Sequence, residues 1–200
     1  MLRTPVPLIG ALGVLMRTLM RSLMLLASLV SGLPATAGDV KSHAKHAVEL
    51  GWDYFNRGDA ETALKRFNQA LTLNSDFAPA YFGIAYIYSI ENKLGLAIEN
   101  YQKCIVKDPS FSPAYSNLGL PLLYTGRREE ALLNLSKALE IDPKNGDARV
   151  NMALYYYDAG DYVLAWKHVH LAQDYKSAVD PGLLRKLNEK LPEPPRTTDG

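Results

Sequence analysis

Residues 78–111 read APAYFGIAYIYSIENKLGLAIENYQKCIVKDPSF, and this stretch decides the fold. Tyr81, Ile84, Ala85 and Tyr88 recur at i, i+3, i+4 and i+7, which places them in one stripe of a helix. Ala97, Tyr101 and Cys104 make the same stripe on a second helix. Between the two lies Asn92, which tolerates the left-handed backbone of a tight turn. Asp108-Pro109 closes the second helix, because proline cannot continue one. The stretch is therefore a helical hairpin, and its small residues mark where two helix backbones approach.

The pattern recurs at a period of 34 residues on both sides. Residues 44–77 carry Leu50-Gly51, Tyr54, Ala63, Phe67 and Ala70 at the same offsets. Residues 112–145 carry Tyr115, Leu118-Gly119, Leu122, Ala131, Leu135, Ala138 and Pro143. Residues 146–179 carry Met152-Ala153, Tyr156, Ala165, Val169 and Ala172, but Ser177 stands where proline is usual, so this unit degenerates at its end. The turns hold Gly58-Asp59, Gly126-Arg127 and Gly160-Asp161, where glycine suits a left-handed C′ residue and aspartate caps the next helix. One hairpin cannot bury its apolar face alone; stacked hairpins share a core and need covers at the ends. Asp180-Pro181 followed by Leu183, Leu184, Leu187 and Leu191 reads as a capping helix over 180–191. Residues 192–200, PEPPRTTDG, are expected to be disordered.

This register resembles the tetratricopeptide repeat (TPR) family over nearly all of the chain beyond residue 43. The resemblance implies an all-α, right-handed solenoid of four helix-turn-helix units (44–77, 78–111, 112–145 and 146–179) with a C-terminal capping helix. In that family the first helix of each unit lines a concave groove, through the second, fifth, sixth, ninth, twelfth and thirteenth places. The resemblance thereby points to Trp52, Phe55 and Asn56, to Phe82, Tyr86 and Ile90, to Asn117, Leu120, Leu123 and Tyr124, and to Asn151, Leu154, Tyr157 and Asp158. The implied partner is a protein or peptide segment with apolar anchors. The repeated asparagines Asn117 and Asn151 are expected to bond its backbone, since an amide both donates and accepts. The two-carboxylate clamp of chaperone-binding relatives has no counterpart: Val48, Trp52, Gly83 and Pro113 stand at its places and only Asn117 fits, so an EEVD-type tail is not expected to bind. Some of the groove rings are equally open to packing between neighbouring repeats.

The first 37 residues differ from the rest. They hold no acidic residue, and Arg17 and Arg21 precede an apolar run, Leu23–Val30. Gly32, Pro34 and Ala35-Thr36-Ala37 follow. Positive region, apolar region and small-x-small site in that order read as a secretory signal peptide cut after Ala37. Met16 and Met20 are alternative starts, of which Met20 gives the more usual leader. A transmembrane reading is disfavoured because the run after Arg21 is too short to span. A mitochondrial leader fits the compact apolar run less well. The expected place is periplasmic or secreted, with no stable membrane span after cleavage.

The remaining observations exclude function classes. Three of the 22 basic residues lie in the leader, leaving 19 against 21 acidic ones and no one-sign field for nucleic acid. Cys104 is the one cysteine and sits at a core place of the repeat. His43 and His46, and His168 and His170, make no converging metal set and read as solvated surface histidines. No phosphate-binding glycine loop, G-x-S-x-G elbow or H-E-x-x-H motif is present. The chain is expected to be an adaptor or scaffold without cofactor, metal or catalytic residue. Self-association in an envelope assembly is the second class, and an enzyme a remote third.

Pro121 is out of pattern. It falls inside the first helix of the third unit, where it removes the bond to the Asn117 carbonyl and is expected to kink the helix.

Overall fold

The computed structural model describes residues 36–196, and the chain divides into a unit up to Ser42 and a unit from His43. Residues 1–35 of the expected signal peptide, with the alternative starts at Met16 and Met20, lie outside the described residues, while Thr36 and Ala37 of its expected cleavage site are described. Helix α1 covers Ala37–Asn56. It starts seven residues before the first repeat place, Ala44. Thr36 and Asp39 bracket this start: the Thr36 amide and hydroxyl donate to Asp39 Oδ2, and the Asp39 amide donates back to Thr36 Oγ1. That reciprocal arrangement satisfies donors that a helix start leaves free.

Eight further helices follow among the described residues, and none of those residues is in a strand. They are α2 (Ala60–Leu73), α3 (Ala78–Ile90), α4 (Leu94–Lys107), α5 (Ser112–Tyr124), α6 (Arg128–Ile141), α7 (Gly146–Ala159), α8 (Tyr162–Asp174) and α9 (Pro181–Lys190). No helix among the described residues is long and apolar enough to cross a membrane.

The turns follow the sequence chemistry. Gly58, Gly126 and Gly160 have φ of 84°, 76° and 81°, and Asn92 has 57°. Asp59, Asp161 and Asp180 each accept from the amide three residues on, capping α2, α8 and α9. Arg127 cannot cap α6; it forms a two-pronged ion pair with Glu130 instead, at 2.6 Å for each contact. A staple repeats at the fourth place of three units. The Tyr81 hydroxyl donates to the Ser75 carbonyl at 3.2 Å and the Tyr115 hydroxyl to Pro109 at 3.3 Å. Arg149 Nη2 donates to the Pro143 carbonyl at 3.3 Å. Each ties a first helix to the loop that enters it.

The core is continuous in kind and divided by repeat. Ala44, Ala47, Val48, Ala63, Phe67 and Ala70 bury with Ile84 and Ile87. Ala85, Tyr101, Cys104, Leu118 and Leu122 form the next cluster. Ala153, Trp166, Val169, Leu183 and Leu187 form the last, so α9 covers the final hairpin as expected. Burial above all pushes the Tyr101 hydroxyl far above its ordinary value. It also pushes the Cys104 thiol up to about 12, with Asp108 adding to the effect. A thiol so held is a packing residue and no nucleophile.

Two expectations are corrected here. Of the expected disordered tail 192–200, residues 197–200 lie outside the described residues, and 192–196 do not stand free of the helices. Trp166 Nε1 donates to the Leu191 carbonyl at 2.9 Å, Glu193 meets His170 at 3.0 Å, and Arg196 reaches Asp174 at 2.8 Å and Gln173 at 2.6 Å. The segment thereby runs along α8, held by groups that its composition does not announce. Nor is His168 a solvated surface residue. It is buried and stacked on Tyr156, ring centres 5.3 Å apart. Desolvation first, then Arg149 and Lys167, lower its pKa to about 4.

Candidate partner groove

The residues picked out by register lie on α1, α3, α5 and α7, and the structure sorts them into three groups. The first is aromatic. Trp52 stands 5.9 Å from Phe55, 5.2 Å from Phe67, 6.1 Å from Phe82 and 5.5 Å from Tyr86, mostly edge to face. Phe82 also meets Phe111 at 5.3 Å and the buried Tyr101 at 5.8 Å. Such edge contacts add about 0.5–1.5 kcal/mol per pair beyond area burial. Trp52, Phe55 and Phe82 are thus half-buried and largely occupied by one another and by the core.

The second group surrounds a cavity of about 360 Å³ between α3, α5 and α7. Tyr86 and Ile90 enter it from α3, Asn117 and Leu120 from α5, and Asn151 from α7. Tyr86 joins the two groups, because Phe55 and Phe82 also pack on its ring at 5.6 and 6.2 Å.

The third group faces the C-terminal cover. Leu154 and Tyr157 pack against the cluster of Trp166, Leu183 and Leu187, and Tyr157 lies 5.7 Å from Tyr162. Tyr124 belongs to none of these groups and is 69% exposed. Leu123 packs on the second core cluster, while Asn56 and Asp158 are exposed.

Each of the two asparagines has one donor engaged on a backbone carbonyl. Asn117 Nδ2 donates to the Pro113 carbonyl and Asn151 Nδ2 to the Ser116 carbonyl, each at 2.9 Å. A carbonyl only accepts, so these contacts fix which end of each amide is nitrogen. Among the described residues nothing donates to either Oδ1. Each amide thus keeps an unpaired oxygen among the described residues, and Asn151 a second N–H as well.

Helix α5 runs through Pro121 to Tyr124 without a break. Pro121 is buried and its missing N–H leaves the Asn117 carbonyl without its helical donor. Thr125 repairs the end of the helix: its hydroxyl donates to the Pro121 carbonyl at 2.8 Å.

The cavity has lining residues that the register reading passed over, among them Asp147, Val150 and Pro121. Asp147 and Val150 occupy the second and fifth places of the fourth unit, so the same register marks them. Pro121, at the tenth place, is marked only by being out of pattern. The places of the two-carboxylate clamp remain without a cation. Val48 is buried and Trp52 sits in the ring cluster, Gly83 lies against Phe67, and Pro113 is exposed.

Stacked helical hairpins with a shared core and a groove across their first helices define a helical-repeat solenoid. The tetratricopeptide repeat model matches residues 48–110 and 117–168, more than half of the chain, and the chain belongs to that family. No curated protein sequence matches it. Among solved structures it is similar to PilF of Pseudomonas aeruginosa, at 22% identity and a TM-score of 0.67. That alignment covers 76% of this chain and 69% of the other. A thermophilic TPR protein of Thermus thermophilus aligns at 22% identity and a TM-score of 0.63, covering 74% and 80%. The first TPR of Spaghetti (RPAP3), bound to the HSP90 peptide SRMEEVD, aligns at 20% identity and a TM-score of 0.56, covering 60% and 94%. These likenesses carry the fold. Proteins of the family generally mediate protein–protein interaction.

Proposed function

We propose that this chain is an exported adaptor that holds a segment of another protein against its first helices, in an envelope- or secretion-related assembly, without catalysis or a cofactor. The observation that carries the proposal is the cavity between α3, α5 and α7, where three repeats converge on one space. Its walls are apolar at Tyr86, Ile90 and Leu120, and a docking side chain frees water from them at roughly 25 cal/mol per Å². Its polar groups are few and fixed, as in sites that orient a ligand. Trp52, Phe55 and Phe82 hold the Tyr86 ring in place, so little ordering is left to accompany binding. Ile90 and Tyr124, at 60% and 69% exposure, extend the contact surface along the same face. Leu154 and Tyr157 continue it toward the C-terminal cover.

The leader supports export through the order Arg17, Arg21, Leu23–Val30 and Ala35–Ala37. Mass measurement of the chain recovered from its producing cell tests this part. A species beginning at Gly38 is expected, and an unprocessed chain in the cytoplasm overturns it.

The groove is tested with a photo-cross-linking residue at Leu120 and, separately, at Leu133, which is exposed on α6. An adduct formed from position 120, absent from position 133 and lost when Ile90→Glu is added, is the expected result. Equal adducts from both positions, or none from 120, would sink the proposal.

A further inference from the structure

The cavity is not neutral toward what enters it. Asp147 is the one ionic side chain on its wall among the described residues. It belongs to no ion pair among those residues, and it stands in the first turn of α7, where the helix dipole favours an anion. Several other polar features around it accept. The Asn117 carbonyl lacks a helical donor because Pro121 has no N–H. Asn117 and Asn151 each spend one N–H on a backbone carbonyl, and nothing among the described residues donates to their amide oxygens. Against these stand three hydroxyls, Tyr86, Ser89 and Tyr101, and the second N–H of Asn151 as donors; the Ser89 hydroxyl already points at Tyr101 at 3.5 Å.

We propose that this cavity takes a basic side chain, lysine or arginine, from the docked segment. The proposal rests on the groove reading above and sharpens it. Leu120 and Val150 give apolar wall to an aliphatic stem. The head then meets the Asp147 carboxylate and the unpaired oxygens, each a charge-assisted contact. The Tyr86 ring adds a face to which a cation is attracted. A space of about 360 Å³ is roomy for this, since a water molecule occupies about 30 Å³. An acidic anchor is refused, because it finds no cation and several oxygens.

Random dodecapeptides displayed on phage and selected on the immobilised full chain provide the test. The enriched peptides are expected to share a lysine or arginine at one position beside apolar residues. Their binding is expected to fall about tenfold in Asp147→Asn, the worth of one charged contact. Val150→Lys, which fills the cavity with the protein's own ammonium, is expected to abolish it, with circular dichroism unchanged in both variants. Enriched peptides that lack a basic position, ignore Asp147→Asn and yet are lost in Leu120→Glu overturn the basic anchor and leave the groove standing. If no enriched peptide responds to Leu120→Glu, the groove reading fails and the anchor with it.

Discussion

The Asn151 side chain donates to the Ser116 carbonyl at 2.9 Å, tying α7 to α5 between residues 35 apart in sequence. The bond joins the first helices of two neighbouring units and closes one side of the cavity. Removing the amide leaves a part-buried carbonyl with only its helical donor. Asn151→Ala is therefore expected to lower stability by about 1 kcal/mol in urea unfolding. Asn117→Ala, whose bond lies within α5, is expected to lose less, because a solvated local bond competes with water. Equal losses would mean that the bridge between repeats carries no special share.

Phe67 is clasped by two glycines. A Cβ built on Gly83 lies 2.5 Å from the ring's Cζ, and one on Gly51 lies 2.5 Å from Cε1. Phe67 is fully buried and cannot swing away. Gly83→Ala is expected to cost about 1–3 kcal/mol of overpacking, offset by roughly 1 kcal/mol of helix propensity. Gly119→Ala meets Leu135 at 2.5 Å from Cδ2 and 2.8 Å from Cγ, an aliphatic branch that can change rotamer where a ring cannot, so its loss is expected to be smaller. Gly95→Ala, in open space on α4, is expected to be stabilising. Melting temperatures should therefore rise from Gly83→Ala through Gly119→Ala to Gly95→Ala; Gly95→Ala falling below Gly83→Ala would contradict the packing argument.

Much of this fold is legible because the same places recur. Gly58, Asn92, Gly126 and Gly160 sit at one place of four units, and all four have positive φ. Repetition makes a local propensity into a strong signal. What escaped is what one repeat does differently. His168 occupies a place held elsewhere by Arg66, Asn100 and Asn134, none of them buried, and the Tyr156 ring of its own unit stacks over it. The tail along α8 escaped for the same reason, since Pro192–Arg196 has no apolar pattern and is held by Trp166, His170 and Asp174. At the groove, register placed the named residues on the first helices of the units. It could not tell that Trp52 and Phe82 fill space beside each other while Tyr86 borders a cavity, because that depends on side chains meeting across units.

His168 gives the fold a dependence on pH. Its folded pKa of about 4 lies below the ordinary 6.5, chiefly through desolvation. The unfolded chain therefore binds the proton more readily. Between pH 6.5 and 4 stability should fall as pH falls, by on the order of 2 kcal/mol at the lower end. His168→Phe keeps the ring against Tyr156 and removes the titration. Chemical unfolding at pH 7 and pH 4.5 should show a smaller difference for the variant than for wild type. The same difference in both would place the pH dependence on other groups.

Pro121 sets helix geometry against packing. Within a helix, proline costs about 3 kcal/mol relative to alanine, from its missing N–H and its clash with the carbonyl four residues back. Its ring is buried, however, and truncation to alanine removes two methylenes at about 0.8 kcal/mol each, before any cavity cost. The two effects leave a margin of about 1 kcal/mol in favour of alanine. Pro121→Ala is thus expected to raise the melting temperature by a few degrees, on the scale of ~2–8 °C per kcal/mol. It also returns an N–H to the Asn117 carbonyl. A variant that melts lower than wild type would show that the ring's packing outweighs the bond it costs, and that α5 is built around the proline.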